Sequence, residues 1–223
     1  MNNTEIYIHT HLGLGDHFVC NGLVRKFISE TSFERYHLVC KTKNEKTVRQ
    51  MYKDLDCLDL CLVEKDSDLY ENIGSDNKVL RVGFSDHGDG KFDKMFYDQL
   101  GFNFSVKRKN FYIERDKDRE NEYYEEIIDS KPYIFVHDRS SVGSFDLRIE
   151  TKHRIVKPDN FNYTPIDYLK IIENAEEIHC LDSSFLNMID LAVNHDKMFF
   201  HKVKKTGYPT ISDNWKIVEY ENN

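Results

Sequence analysis

The chain has 223 residues and a formal net charge of −8. Hydrophobic residues make up 39% and aromatic residues 13%, which supplies a core and argues against a disordered chain. The negative balance disfavours a nucleic-acid partner, because neutralising phosphates takes clustered positive charge. From the N-terminus, Ile6-Tyr7-Ile8 reads as a first strand and residues 16–30 as a helix, with Phe18, Gly22, Val24 and Ile28 at near-helical spacing. Tyr36 to Cys40 is a second strand, residues 44–53 a helix, Cys57 to Val63 a third strand and Lys78 to Phe84 a fourth. Residues 85–110 open as a surface loop and continue into a short helix. Asp86, Asp89 and Asp93 in that stretch lack the spacing and the closing glutamate of a calcium loop. Residues 115–129, "RDKDRENEYYEEIID", read as an exposed connecting helix.

The strand–helix pattern then restarts. Tyr133 to His137 is a strand, Arg154-Ile155-Val156 a short one, and Ile166 to Asn174 a helix capped by Thr164 with Pro165 in its first turn. Glu177 to Leu181 is a strand, Asp182 opens a helix through Val193, and Lys197 to Val203 and "NWKIVEY" are the last strands. The alternation predicts an α/β protein with parallel sheets and right-handed crossovers. It divides into two small Rossmann-like halves, residues 1–112 and 113–223, facing each other across a cleft. Ligands in such sheets bind beyond the carboxyl ends of the strands. No apolar run approaches the roughly 20 residues that span a bilayer, and no secretory signal pattern opens the chain. The five cysteines are scattered, and Cys57 and Cys61 have no second pair to complete a zinc pattern. These features point to reduced thiols in a cytoplasmic protein. The basic runs Lys107-Arg108-Lys109 and Lys202 to Lys205 read as solvated faces.

The chemistry-bearing stretch is "HLGLGDHF", a strand-to-helix turn at residues 11–18. A dinucleotide fingerprint needs a third glycine where Phe18 stands, and an acid near the end of the second strand, where Cys40 to Lys43 stand. A structural account has Gly13 and Gly15 supplying left-handed turn conformations and Asp16 capping the helix. A catalytic account has Asp16 ionised in the anion site at the helix start, where it activates a substrate hydroxyl as general base, with His17 sharing or replacing that role. Two Asp-x-Asp strings, Asp54-Leu-Asp56 and Asp66-Ser-Asp68, lie in polar surroundings and give no metal site. His9 and His11 share a strand face without a third ligand. Phe96 and Tyr97 are the aromatics considered for stacking on a sugar.

"HLGLGDHFVCNGLVR" resembles the N-terminal Gly-x-Gly-Asp turn of heptosyltransferase-like glycosyltransferases of GT-B fold. "YLKIIENAEEIHCLDSSFLNMIDLAV" and "VHDR" are similar to their C-terminal segments. The resemblance implies a transferase that moves a sugar from a nucleotide sugar to a glycan or other hydroxyl acceptor, with Asp16 as base. On the acceptor side it marks Gly13, Gly15 and Asn21. On the donor side it marks His137, Arg139, Arg154, Lys157, Asp182, Ser183, Ser184 and Phe185. The nucleotide sugar is a co-substrate, and no metal or other cofactor is expected. This chain has Ser184 where the family's turn has glycine, and Asn187 where a histidine usually follows. A non-catalytic sugar-nucleotide module and a nucleotide-dependent enzyme of other chemistry on a flavodoxin-like fold are the alternatives.

Overall fold

A computed structural model describes residues 4–73, 77–84, 91–160, 162–203 and 207–220. Asp86 and Asp89 lie outside these residues. The chain divides into two units, Met1–Glu114 and Arg115–Asn223.

In the first unit, β1 (Glu5–His9), β2 (Arg35–Lys41), β3 (Leu58–Val63) and β4 (Val79–Arg81) form one sheet in the order β3-β2-β1-β4, every pair parallel. This is the first part of the doubly wound order 3-2-1-4, with its topological switch point between β1 and β4. Ile6 and Ile8 of β1 and Leu38 and Val39 of β2 are buried, as the apolar runs of a two-side-covered parallel sheet demand. Helix α1 (Leu14–Glu30) follows β1, and its residues His17 to Val24 are all buried. A helix buried all round must be covered on the side away from the sheet. Three helices, α2 (Glu45–Met51), α4 (Phe92–Asp98) and α5 (Val106–Lys109), pack on it, while α3 (Asp68–Asn72) packs beside β3. Gly22 is where α5 comes closest: a Cβ there would lie 2.5 Å from the Val106 carbonyl oxygen.

Two surface expectations are corrected in this layer. Lys107 is 2% exposed and pairs at 3.0 Å with Asp93, which is wholly buried. The basic run is therefore not a plain solvated face, and Asp93 does not belong to a surface loop. The packing of α5 on Gly22 carries Lys107 inward, and a buried ammonium persists only with a counter-charge.

The second unit holds β5 (Tyr133–His137), β8 (Arg154–Val156), β9 (Ile178–Leu181), β10 (Met198–Lys202) and β11 (Trp215–Glu219) in the order β11-β10-β9-β5-β8, again all parallel. Numbered within this unit the order is 2-1-3-4-5, the flavodoxin-like arrangement, with its switch point between β5 and β9. A short hairpin, β6 (Arg139–Ser140) and β7 (Gly143–Ser144), follows β5 directly. Helix α6 (Lys117–Ile127) is not a plain exposed connector, since Glu120 and Tyr123 are 1% exposed. Arg115 binds both Glu120 and Glu173, and the Tyr123 hydroxyl donates to that of Tyr168 at 2.6 Å. A 3-10 turn at Pro165–Tyr168 leads into α7 (Leu169–Glu173), and the Asp167 carboxylate accepts from the Thr164 amide at 2.8 Å. Helix α8 (Ser184–Ala192) opens on Ser183, whose hydroxyl accepts from the Leu186 amide. The cap is thus Ser183 and not Asp182, because Ser183 has the extended backbone of a cap residue.

Candidate functional site

The N-terminal group lies at the carboxyl end of β1. Gly13 is the cap residue of α1, with φ −71° and ψ 142°, and accepts from the Asp16 amide at 3.1 Å. Leu14, Gly15 and Asp16 are the first three helical residues. Neither glycine is left-handed; among the described residues positive φ occurs only at Gly83, Gly101, Gly143 and Gly207. Gly13 is required for a different reason. The Asp16 carboxylate folds back over the cap, and a Cβ at residue 13 would sit 2.6 Å from its Oδ2. A half-buried carboxylate is thereby held at an exposed turn, where the helix dipole favours negative charge.

The neighbours of this turn do structural work. His17 is 1% exposed, its Nε2 has no hydrogen-bond partner among the described residues, and burial lowers its pKa to about 4. The ring is therefore uncharged at neutral pH and faces the core. Asn21 is wholly buried; its Nδ2 donates to the Tyr112 carbonyl at 3.2 Å and its Oδ1 accepts from the Tyr112 amide at 3.0 Å. It ties α1 to the end of the unit and does not line the turn. Asn44, which the sequence does not single out, donates to the Leu12 carbonyl at 3.1 Å and so holds the approach to Gly13. Phe96 and Tyr97 are 1% and 0% exposed, so neither offers a face to a sugar.

The C-terminal group gathers at the switch point between β5 and β9. His137 ends β5, and its Nδ1 lies 2.9 Å from the Ser183 hydroxyl, which follows β9. That hydroxyl is also 3.2 Å from the Leu181 carbonyl and receives the Leu186 amide. A hydroxyl has one hydrogen and two lone pairs. All three contacts are satisfied only when Ser183 donates to Leu181 and His137 Nδ1–H donates to Ser183. The tautomer thus assigned makes His137 Nε2 an acceptor. Burial lowers the His137 pKa to about 4, so the ring is neutral, and it packs 4.4 Å from the Phe185 ring centre. Ser184 and Phe185 are the first two helical residues, whose amides have no partner within the helix. Asp182 immediately precedes the cap.

The basic candidates are each held by a carboxylate. Lys157 Nζ is 2.5 Å from Asp138 Oδ2, and Arg139 is 3.2 Å from Asp159. Both basic residues follow the carboxyl ends of their strands. Arg154 does not join them: it begins β8 at the opposite end of the sheet and lies 3.6 Å from Asp129. A groove of about 560 Å³ runs along this edge strand, lined among others by Tyr123, Arg154, Lys157 and Asn160. The Asp-x-Asp strings are occupied elsewhere. Asp54 makes a two-pronged bond to Arg25, Asp66 pairs with Lys41, and Asp68 accepts the Glu64 and Lys65 amides.

The fold has a counterpart among solved structures. A crystal structure of a glycosyl transferase family 9 protein from Veillonella parvula DSM 2008 aligns over all of this chain and 89% of its own, with a TM-score of 0.60 and 11% identity. At that identity the likeness is one of fold, and it matches the two-sheet α/β architecture. No family model matches the sequence. No curated protein matches it either.

Proposed function

We propose that this chain is a glycosyltransferase that moves a sugar from a nucleotide sugar to a hydroxyl acceptor. The observation that carries the reading is the Asp16 carboxylate, folded over Gly13 at the carboxyl end of β1. The whole-chain fold likeness to a glycosyl transferase family 9 protein supports it.

In this reading Asp16 takes the proton of the acceptor hydroxyl while that oxygen attacks the anomeric carbon. The bond from the anomeric carbon to the nucleotide's phosphate oxygen breaks, and the configuration inverts. Negative charge then develops on the leaving diphosphate. The Ser184 and Phe185 amides and Lys157 are the groups that stabilise it. His137 Nε2 accepts a hydroxyl of the donor. The scheme draws on no metal.

The test is thermal stability of the full chain in UDP, GDP, ADP, CMP and dTDP and their sugar conjugates, followed by transfer assays. One nucleoside diphosphate should raise the melting temperature. Asp16→Asn should cut transfer by about 10²–10⁴ and leave that shift intact. No shift with any nucleotide would overturn the reading.

A second reading rests on the 2-1-3-4-5 strand order of the C-terminal sheet, which is that of flavodoxin-like proteins. It assigns the β5/β9 switch point to a nucleotide cofactor of other chemistry. Visible absorbance of the purified protein, or tight binding of a flavin nucleotide with no response to nucleotide sugars, would favour it.

A further inference from the structure

The N-terminal sheet has its own switch point, between β1 and β4, and the Asp16 turn leaves it largely unused. His9 and Arg81 stand opposite each other there in the parallel register. His9 is 1% exposed, yet neither of its ring nitrogens has a hydrogen-bond partner among the described residues. Buried polar groups are normally paired, so this one marks a place where a partner is missing. Phe84 and Tyr70 cover it, with ring centres 4.6 and 6.2 Å from the imidazole. Both are exposed to solvent, by 36% and 49%.

Arg81 completes the group. Its guanidinium lies 4.6 Å from the Phe84 ring centre and 5.8 Å from that of Tyr70, and among the described residues it forms no ion pair. A stacked guanidinium keeps its N–H edge free for a two-pronged bond to an anion. The carboxylate that acts on His9 is that of Asp66, which pairs with Lys41 at 3.0 Å. Among the described residues, Arg81 is therefore the local charge left without an opposite partner. Backbone geometry sets the aromatic cover: Gly83 has φ +89°, and a Cβ there would lie 2.5 Å from Phe96 Cε1. The Gly83 carbonyl is also 2.8 Å from His11 Nε2, which fixes the turn that presents Phe84. Among the described residues no three metal-ligating side chains come together.

We propose that His9, Tyr70, Arg81 and Phe84 form a binding site for an anionic sugar, one bearing a carboxylate or a phosphate. Arg81 takes the anionic group, the sugar ring lies on Phe84, and a ring hydroxyl reaches His9 when the exposed Phe84 side chain turns aside. That such a sugar is the acceptor rests on the glycosyltransfer reading; the anion site itself does not.

The test titrates the full chain with glucuronate, glucose 6-phosphate, inorganic phosphate and uncharged glucose, by calorimetry. At least one anionic sugar should bind tenfold or more tightly than glucose. Glucuronate alone would identify a carboxylate ligand and glucose 6-phosphate alone a phosphate; either supports the site. Arg81→Gln should weaken that binding at least tenfold, and Phe84→Ala should abolish the advantage of a sugar phosphate over inorganic phosphate. Absence of binding by every anion, or equal binding by Arg81→Gln, overturns the proposal. The same samples are screened with the nucleotide panel. A nucleotide shift without anion binding defeats this site alone, whereas Arg81-dependent anion binding without a nucleotide shift defeats glycosyl transfer alone.

Discussion

Ser183→Ala is the sharpest test of the C-terminal group, because one hydroxyl joins the start of α8 to His137 and the Leu181 carbonyl. Loss of the helix cap costs about 1 kcal/mol. Leaving a buried imidazole N–H and carbonyl without a partner costs a further 1–3 kcal/mol or so. The C-terminal unit should therefore lose about 2–4 kcal/mol, a fall of roughly 1–2 M in the urea midpoint at ordinary slopes. The assay is built into the chain. Trp215 is the sole tryptophan, is 5% exposed, and donates its indole N–H to Asp190 within this unit. Its fluorescence follows the unfolding of the C-terminal unit specifically, which matters where two units need not unfold together. Ser183→Thr keeps the hydroxyl and should recover most of the loss. A midpoint unchanged by Ser183→Ala would refute the three-way hydrogen bonding and the His137 tautomer that follows from it.

Other outcomes follow from buried charge and close contact. Lys107→Met removes the ammonium paired with the wholly buried Asp93 carboxylate and should destabilise the N-terminal unit by about 3–5 kcal/mol; circular dichroism in urea reads this, and adding Asp93→Asn should restore part of it. His17 titrates near 6.5 when unfolded and at about 4 when folded, so between those values the unfolded chain binds the extra proton. Stability contributed by His17 is complete above pH 6.5 and is lost as pH falls toward 4, at up to about 1.4 kcal/mol per pH unit. His17→Leu should flatten that part of the acid-unfolding curve. Gly13→Ala would put a Cβ 2.6 Å from the Asp16 carboxylate oxygen and displace it, so in the proposed reading kcat for transfer should fall at least tenfold with the nucleotide-induced melting shift unchanged. Asp138→Asn frees Lys157 from its 2.5 Å partner and should tighten nucleoside diphosphate binding severalfold in calorimetry.

The strands and the Asp16 turn were legible because their signals are local. Alternating apolar runs mark β1, β2, β5, β9 and β10, and the start assigned to α8 at Asp182 lies within one residue of the Ser183 cap. Arg154 was assigned to the donor side although the strand it begins was legible, and a residue that begins a parallel strand cannot stand at its carboxyl end. The burial of Lys107 was not, since it depends on Gly22 and Asp93, far away in the chain. Nor was the His9–Arg81 pair, because parallel strands 72 residues apart leave no mark of register in either segment. The left-handed conformations expected of Gly13 and Gly15 are absent, and Gly13 is required by close approach instead. A requirement for close approach and a requirement for positive φ look alike in a sequence, and only backbone angles separate them.

The two switch points place one uncharged histidine each, and the difference between them is chemical. Burial lowers the pKa of both His9 and His137, so neither ring carries the charge that would bind an anion by itself. At His137 the proton is fixed on Nδ1 by Ser183, which leaves Nε2 able only to accept. Such a ring selects for a ligand hydroxyl that donates. At His9 nothing among the described residues fixes the proton, so the ring offers a donor or an acceptor as the ligand requires. Selectivity there must come from Arg81, whose charge and planar edge do not change with tautomer. In the proposed reading the C-terminal site is specific through hydrogen-bond direction. The proposed N-terminal one is specific through charge, and salt should weaken its binding far more.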